Sequence, residues 1–365
     1  MAADVHFWPL PLGAGSALAP PDPRPGLRRL VEAAGFGGAA ARAGRWLLKA
    51  PVPAPGRPAA APAEWIDAVG AALIGPASLP GSARLQVTDT LSISTRGLDS
   101  PAALRAVALA RGFGVAGALP FVVGDDPDGP PPWPVAGGPD GHALAGVLAG
   151  VAGVVVLAPL RPHPHLGVAG AVATLGLDLA DRASRLALHR GIRPQVDTPL
   201  CAGCGSCLDV CLYDAIVIRG GRALIDHRLC TGCGECMGVC FMAGIAPEAA
   251  AGVVAYQQAV AEAAAATSRQ VVVGQAQGIL HIVLLVQPDS YATTTKSRRR
   301  LPLAGIGILA GLDPVAVDSA ALDLLAERLG GPLNQWSGYA QGPGELLERA
   351  ALLGLGMREY RLREV

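Results

Sequence analysis

Short apolar runs alternate with segments of helical spacing along much of the chain. Runs rich in Val, Ile and Leu are typical of strands that are buried on both faces of a sheet. The predicted strands are Arg84–Thr88, Leu119–Val123, Val154–Leu157, Ile279–Val286 and Gly305–Leu309. The predicted helices are Leu27–Ala34, Glu64–Leu73, Pro101–Arg111 (with Ser100 as its N-cap), Leu177–His189, Gly252–Ser268, Pro314–Leu329 and Gly344–Leu353. This alternation predicts an α/β fold in which helices flank a mostly parallel sheet.

One uncharged stretch, Ala143–Leu160, is long enough to be considered as a membrane span. However, it contains three glycines, ends in a β-branched run and meets Pro159. A buried helix of small residues that leads into the strand Val154–Leu157 fits these features better. We therefore expect no membrane span.

Composition and charge narrow the class of protein. Of the 365 residues, 29 are basic, 29 are acidic and 16% are charged in total. Because this fraction is well below the usual ~25%, a largely buried core is favoured over a disordered chain. Zero net charge argues against nucleic acid as a partner, since phosphate binding needs a concentrated basic surface. The short basic cluster Lys296–Arg300 is interpreted as a solvated loop, with an acidic docking patch as the alternative.

The first ten residues lack a basic region followed by an apolar run, which is the pattern of a secretory signal. We therefore expect a cytoplasmic protein.

All eight cysteines lie between positions 201 and 240, which argues against a disulfide framework spread over the fold. They form two runs with the same C-x2-C-x2-C-x3-C spacing. The first run is Cys201, Cys204, Cys207 and Cys211, and the second is Cys230, Cys233, Cys236 and Cys240. A shift of 29 positions superimposes the two runs and also aligns Asp197 with Asp226. The segment is therefore an internal duplication of one short unit.

Each run resembles the cluster-binding run of the bacterial two-cluster ferredoxins, in which the fourth cysteine of each run binds the other cluster. The resemblance implies two [4Fe–4S] clusters, one held by Cys201, Cys204, Cys207 and Cys240, the other by Cys230, Cys233, Cys236 and Cys211. The glycines of the runs allow tight turns and point amides at sulfur, which tunes the reduction potential. They are Gly203, Gly205, Gly232 and Gly234. Leu212 and Phe241 depart from the family, which has proline there.

Two zinc sites are the alternative interpretation of the cysteines. Zinc usually takes paired C-x2-C arms that are separated by a longer loop, whereas each run here holds four cysteines at 2-2-3 spacing. Iron–sulfur chemistry is therefore favoured.

The flanking residues resemble a second family. The segments Gly305–Leu325 and Gly354–Val365 are similar to parts of the domain of unknown function 362. Together with the cysteine runs, they make the chain look like the iron–sulfur centre proteins of that group. The resemblance implies an α/β domain built from residues 1–194 and 247–365, interrupted by a small α+β ferredoxin-like insert at residues 195–246.

Four polar residues are weaker candidates for a catalytic site: Asp89, Asp318, Arg161 and His163. Asp89 and Asp318 lie near predicted strand ends, at the edge where α/β sheets bind ligands, although helix N-terminal charge is the alternative. Arg161 and His163 stand where the second family carries a lysine and histidines, and a solvated loop is the alternative. Of the polar early loop of that family, this chain keeps only Lys49.

Two functions remain open from the sequence. In the first, the chain is an iron–sulfur protein that transfers electrons to or from a redox partner protein. In the second, it is a cluster-dependent oxidoreductase that acts on a small substrate in the α/β domain. Convergence of the four polar candidates near a cysteine site favours the enzyme, and their dispersal favours the electron carrier, which is our expectation.

Overall fold

The computed structural model describes residues 2–10, 22–38, 44–55, 61–75, 84–115, 118–272, 278–286, 305–337 and 342–365. Its strands are β1 (Ala3–Pro9), β2 (Trp46–Lys49), β3 (Leu85–Asp89), β4 (Phe121–Val123), β5 (Trp133–Pro134), β6 (Ala143–Leu144), β7 (Gly153–Pro159), β8 (Arg161–His163), β9 (Gly167–Ala169), β10 (Pro194–Val196), β11 (Ile216–Arg219), β12 (Arg222–Ile225), β13 (Ile245–Pro247), β14 (Ile279–Leu285), β15 (Gly307–Gly311) and β16 (Tyr360–Glu364). Its helices are α1 (Arg24–Ala33), α2 (Ala63–Ile74), α3 (Pro101–Ala110), α4 (Ala171–Ala173), α5 (Arg182–His189), α6 (Ser206–Asp209), α7 (Glu235–Val239), α8 (Ala250–Val272), α9 (Pro314–Leu329), α10 (Leu333–Ser337) and α11 (Gly344–Leu352). The basic cluster Lys296–Arg300 lies outside the described residues.

Eight strands form the main sheet, in the spatial order β16-β1-β15-β14-β7-β2-β3-β4. Neighbouring strands are parallel except where β15 pairs with β1 and with β14. The central strands β7 and β14 are buried along their length, apart from the half-buried Pro159. Strands covered on both faces are apolar at successive positions, which is why these two runs were recognisable. The predicted α/β class, with a mostly parallel sheet and flanking helices, is confirmed.

Helices cover both faces of the main sheet. Val155 and Leu157 of β7 pack in a core with α1, α2 and α3. The alternate residues Val154 and Val156 pack in a second core with α8, α9 and α11. This division follows from the two-residue period of side chains along a strand.

Three strands of the main sheet have no counterpart in the sequence prediction: β1, β2 and β16. Strand β16 pairs in parallel with β1, placing Leu362 opposite Val5. Its side chains are mostly exposed and charged, which is typical of a strand at the edge of a sheet. It therefore lacks the alternation of apolar and polar residues by which a half-buried strand is recognised. Strand β2 is buried but only four residues long.

The helix expected within Ala143–Leu160 is wrong. Residues 143–144 form β6, and Gly146–Leu148 form only one 3₁₀ turn. The backbone at Gly146 packs against the carbonyl oxygen of Pro130, so the chain is held close to that loop instead of coiling freely. Within the described ranges, no helix combines the length and apolar character that crossing a bilayer requires.

The helix expected over Leu177–His189 is interrupted. A π-helical turn, Thr174–Asp178, continues α4, and α5 begins only at Arg182. Asp181 caps α5 because its carboxylate accepts the Ser184 N–H at 2.9 Å. Two other predictions are confirmed: α9 spans the expected residues, and Ser100 accepts the Ala103 N–H at 3.4 Å as the N-cap of α3.

Residues 194–247, which we call the cysteine segment, add no strand to the main sheet; the rest of the chain is the α/β body. Antiparallel β10 and β13 pair at the root of the segment, and β11 and β12 form a hairpin. The two halves repeat each other: Cys201 N donates to Asp197 O (3.0 Å), as Cys230 N does to Asp226 O (2.9 Å). They also interlock: Asp197 N donates to Gly244 O (2.9 Å), and Asp226 N to Ala215 O (2.8 Å). Each half therefore begins where the other half ends.

Candidate functional site

The first three cysteines of the first run share a concavity with the last cysteine of the second run. Its lining includes Cys201, Cys204, Cys207 and Cys240, but not Cys211. The loop turns tightly because Gly203 and Gly205 have φ values of 64° and 84°, a region that residues with side chains disfavour. The structure thus brings together the first of the two crossed ligand sets, which we call the first set.

The remaining four cysteines form the second set: Cys230, Cys233, Cys236 and Cys211. Burial raises the pKa of Cys236 most, and the neighbouring charges of Cys233, Cys230, Cys207 and Cys211 raise it further. Burial also raises the pKa of Cys230, and Cys211 adds to that effect. The thiol of Cys211 therefore lies near enough to Cys230 and Cys236 of the second run to influence their pKa values, as Cys207 does for Cys236.

Backbone amides donate to the sulfurs of Cys211, Cys240 and Cys201, among others. The donors and acceptors are Ala215 N to Cys211 Sγ (3.3 Å), Gly244 N to Cys240 Sγ (3.2 Å) and Ala223 N to Cys201 Sγ (3.4 Å). The first two are equivalent positions of the two halves, and each follows a residue with positive φ, Asp214 (50°) or Ala243 (54°). Because N–H donors stabilise negative charge, this backbone is suited to thiolates.

The two sets differ in their exposure to solvent. Cys204 of the first set is exposed, and the hydroxyl of Ser206, 3.5 Å from its sulfur, lowers the pKa of its thiol. In the second set, Cys233 occupies the equivalent position and is less exposed, and burial raises the pKa of its thiol to about 11. The first set faces solvent at the position where the second set is covered.

The α/β body contacts the segments that carry the second set. Arg96 Nη2 donates to the carbonyl oxygen of Cys211 at 2.9 Å. His165 Nε2 lies 3.1 Å from the carbonyl oxygen of Gly232, between two cysteines of the second run. Since a carbonyl only accepts, we assign the proton of the His165 ring to Nε2.

The first set is held differently. Arg222 Nη1 donates to the carbonyl oxygen of Cys201, so this bond lies within the cysteine segment. Among the described residues, no hydrogen bond reaches the loop Cys201–Cys207 from the α/β body. The first loop is therefore supported by its own segment alone.

A buried polar network continues from His165 towards the edge of the main sheet. The His165 ring packs edge-on against Tyr256, with 5.7 Å between ring centroids. The Tyr256 hydroxyl donates to His189 Nε2 at 2.7 Å, and His189 Nδ1 donates to the carbonyl oxygen of Arg185 at 2.7 Å. Arg185 Nη2 in turn pairs with Asp125 Oδ2 at 2.6 Å, and both side chains are almost fully buried. Burial lowers the pKa of His165 to about 3 and of His189 to about 4, so both rings are neutral at pH 7.

A buried ion pair lies at the carboxyl ends of β2 and β3. Lys49 Nζ is 2.8 Å from Asp89 Oδ1, and the Lys49 side chain is only 2% exposed. Asp178, from the π-helical turn, lies 3.9 Å from the same nitrogen. The second oxygen of Asp89 accepts the Val52 N–H at 2.7 Å. Asp89 thus lies at the expected edge of the sheet, with both oxygens engaged by the chain itself.

Asp318 is bound by backbone groups of a neighbouring helix. Its side chain is buried, and its two oxygens accept the N–H groups of Ala171 (2.7 Å) and Val172 (2.9 Å) at the start of α4. Burial raises the pKa of Asp318 to about 7. This carboxyl group therefore joins α9 to α4 and presents no free oxygen to a ligand.

The two remaining candidates have different surroundings. His163 Nδ1 accepts the backbone N–H groups of His165 (3.2 Å) and Leu166 (3.1 Å), so the ring closes its own turn. Arg161 is exposed on β8, whose backbone pairs with Ala169 of β9. Among the described residues, no hydrogen bond or ion pair joins any two of Asp89, Asp318, Arg161 and His163.

Sequence reasoning did not find the partners in the Lys49–Asp89 ion pair or in the buried network that begins at His165. Lys49 was recognised as polar, but nothing near it in the chain points to Asp89. Likewise, Tyr256 and Arg185 lie in ordinary helical patterns, and Gly232 contacts His165 from a distant part of the chain. A buried charge within an apolar strand end, as at Lys49, was the one available signal.

Comparison with known proteins adds little to this description. No protein-family model matches the chain, and no curated protein matches it. Among solved structures, the lactate racemase apoprotein from Thermoanaerobacterium thermosaccharolyticum is similar, with a TM-score of 0.37 and 12% sequence identity. The alignment covers 84% of this chain and 59% of the racemase, so the chain spans less than two thirds of that protein's length.

Proposed function

We propose that this chain is an iron–sulfur protein that binds two [4Fe–4S] clusters and transfers electrons to or from a redox partner protein. The observation that carries the proposal is the crossed grouping of the cysteines, in which Cys240 joins the first run and Cys211 the second. Crossed ligation is a property of the two-cluster ferredoxins that the runs resemble. Two independent zinc loops have no reason to exchange their last ligands.

The donor chemistry supports the same assignment. All eight ligands are thiols outside disulfides, and several of them receive backbone N–H groups. Thiolates suit both zinc and iron–sulfur clusters. However, zinc needs four donors within ~2.0–2.3 Å of one ion, whereas a cluster spreads its ligands over separate irons. We therefore assign the four thiols of each set to the separate irons of one cluster.

We also propose that residues 195–246 are a ferredoxin-type insert in a protein of the domain of unknown function 362 family. The duplicated backbone of the segment, with β10 and β13 paired at its root, supports an insert that the chain enters and leaves at neighbouring points. We place the protein in the cytoplasm, where thiols remain reduced.

The bound clusters would supply reversible one-electron chemistry. The residues of the chain fix the sulfur positions, direct N–H groups at them and control access. Cys204 is exposed, and so are the side chains of Leu200 and Leu208 on either side of it in the sequence. We expect the redox partner protein to approach at Cys204, because its counterpart Cys233 in the second set is less exposed.

The proposal is tested by metal analysis and by substitution of Cys211, the proposed ligand that the first run contributes to the second cluster. Protein purified without oxygen should hold about eight irons and eight acid-labile sulfides, four of each per cluster. Cys211→Ser should alter the electron paramagnetic resonance signal of the cluster assigned to Cys230, Cys233 and Cys236. The neighbouring substitution Leu212→Ala removes no ligand and should leave both signals unchanged.

Two results would contradict the proposal. Zinc, or the absence of inorganic sulfide, excludes the clusters altogether. Damage from Cys211→Ser to the cluster of its own run, with the other cluster intact, excludes crossed ligation.

A cluster-dependent oxidoreductase that acts on a small substrate is the second candidate. The observation in its favour is the buried network that leads from Gly232 through Tyr256 and Arg185 towards the sheet edge. Against it, none of the hydrogen bonds or ion pairs in the described residues joins any two of Asp89, Asp318, Arg161 and His163.

This candidate is tested by anaerobic reoxidation of the reduced protein with a panel of small carbonyl and enoate compounds. A compound that reoxidises the natural chain, but not Lys49→Met with a full iron content, would establish a substrate site at the sheet edge. If all compounds react equally with both proteins, the electron carrier stands.

A further inference from the structure

In the part of the chain that the structure describes, hydrogen bonds join the α/β body to the second cysteine set, and none joins it to the loop Cys201–Cys207 of the first. Arg96 reaches the carbonyl oxygen of Cys211, and the Tyr213 hydroxyl donates to the carbonyl oxygen of Ile93 at 2.9 Å. The third contact, from His165 to Gly232, is the one inside a ligand loop and is fully buried. Of the three contacts, this one therefore has the most direct influence on the conformation of the loop that carries Cys230 and Cys233.

We infer that His165 is a positioning residue of the second cysteine site, which fixes the peptide between Gly232 and Cys233 and thereby sets the reduction potential of the cluster bound there. This inference rests on the proposed function, and it adds a residue of the α/β body that neither the cysteine spacing nor the ferredoxin resemblance includes.

The peptide geometry gives the first step. In a planar trans peptide, the C=O and the following N–H point in opposite directions. Because the carbonyl of Gly232 is directed at His165, the N–H of Cys233 points in the opposite direction, away from the His165 ring. Holding the carbonyl therefore holds the N–H.

The loop is seated so closely that this peptide has little freedom to shift. A Cβ atom at Gly232 would collide with the carbonyl oxygens of His189 and Ile192. At Gly234, a Cβ would come within 2.5 Å of His165 Nε2. The two glycines of the second run thus lie directly against the body, whereas a Cβ at Gly205, the counterpart of Gly234, would meet nothing within 4 Å.

His165 is itself immobilised. Its side chain is 0% exposed and its ring packs against Tyr256. Its carbonyl oxygen accepts the Gln257 side-chain N–H at 2.8 Å, and Gln257 Oε1 accepts the Leu346 N–H at 3.2 Å. Since helix α8 and the start of α11 hold His165 in place, the ring does not follow the loop when the loop moves.

The expected consequence is electrostatic. N–H groups directed at a cluster stabilise its more negative, reduced state and so raise its reduction potential. Removing the donor at His165 removes the hydrogen bond that fixes the orientation of the Gly232–Cys233 peptide, and with it the orientation of the Cys233 N–H. The second cluster then loses part of this stabilisation, and its potential falls.

The test compares three variants of the full chain, purified without oxygen and titrated under electron paramagnetic resonance. His165→Phe keeps the ring but removes the donor, and we expect a lower midpoint potential and an altered signal for the second cluster only. His165→Gln keeps an N–H donor at similar reach and should restore most of the natural values. Arg222→Met removes the corresponding donor at Cys201 and should affect only the first cluster.

The outcomes separate this inference from the proposed function. If His165→Phe changes neither signal, or shifts both equally while iron content is preserved, His165 does not position the second site. If His165→Phe does not fold, His165→Asn takes its place, because its amide is too short to reach Gly232. The same change in the midpoint potential and signal of the second cluster is then expected. If the natural chain holds no clusters, the proposed function itself fails before this comparison begins.

Discussion

The two cysteine runs have the same spacing and the same backbone, yet different surroundings. Gly205 and Gly234 share nearly the same φ, 84° and 83°, and the amide-to-sulfur bonds at Cys211 and Cys240 are equivalent. In contrast, Cys204 is exposed, while the second run lies against His165 and His189. Local sequence determines the shape of a ligand loop, whereas the α/β body determines its environment.

This difference suggests a division of work within the proposed electron carrier. The exposed first set is suited to a redox partner that binds transiently. Such a partner can come close to the proposed cluster without any rearrangement of the chain. The second set is suited to a fixed neighbour, the α/β body, to which a continuous buried network is attached. The following predictions address this contrast.

The largest expected effect comes from the buried pair of Arg185 and Asp125, which supports the network behind the second set. Arg185→Leu leaves the buried Asp125 carboxylate without its cationic partner, and removing one partner of such a pair costs about 3–5 kcal/mol. Arg222→Leu, beside the exposed first loop, should cost less than about 1 kcal/mol. Urea unfolding of the anaerobic proteins measures both, and equal costs would contradict the contrast.

The next largest effect is the pH dependence of the free energy of unfolding that arises from Asp318, a residue of the α/β body. Because burial raises the pKa of Asp318 to about 7, the folded state binds its proton more tightly than the unfolded state does. The stabilisation is complete below pH ~4 and is lost as pH rises through 7, an effect of about 2–4 kcal/mol at 1.36 kcal/mol per pKa unit.

The buried histidines oppose this trend, since their lowered pKa values favour the folded state at higher pH. The measurement is therefore the difference between the natural chain and Asp318→Asn, followed by urea unfolding from pH 4.5 to 8. The free energy of unfolding of Asp318→Asn, relative to the natural chain, should rise with pH across this range. A constant difference would show that Asp318 does not titrate there.

A smaller effect is expected at the Tyr256 hydroxyl, which donates to His189 Nε2. Tyr256→Phe leaves this buried nitrogen without a donor, which costs about 1–3 kcal/mol. Tyr213→Phe removes a hydroxyl that reaches Ile93 from a less buried position and should cost less. Thermal unfolding compares the two, with iron content measured alongside. A greater loss from Tyr213→Phe would place the main support of the second set at Ile93 instead.

The smallest change in stability, but the clearest difference between the runs, is expected in chemical labelling. Brief exposure to air followed by iodoacetamide should modify Cys204 before Cys233 or Cys236, because Cys204 alone of these three is exposed. Mass spectrometry of the digested protein gives the order. Equal labelling of Cys204 and Cys236 would indicate that the α/β body does not cover the second set.

How much was predictable depends on the range of the interactions involved. The buried strands β7 and β14 and the bounds of α9 depend on neighbouring residues, and both could be predicted from the sequence. The polar edge strand β16 could not, because it lacks an apolar alternation. The pairing of Lys49 with Asp89 and of His165 with Gly232 depends on distant parts of the chain meeting, which no local pattern records.

The position of the cysteine segment also affects the order of folding. Leu157 of β7 lies opposite Ile282 of β14, and the whole segment separates them in the chain. Closing a longer loop costs more conformational entropy, but a segment that has already folded, with β10 beside β13 at its root, shortens the effective loop. If the segment binds the proposed clusters, chains synthesised without iron should complete the centre of the sheet more slowly than chains that acquire iron early.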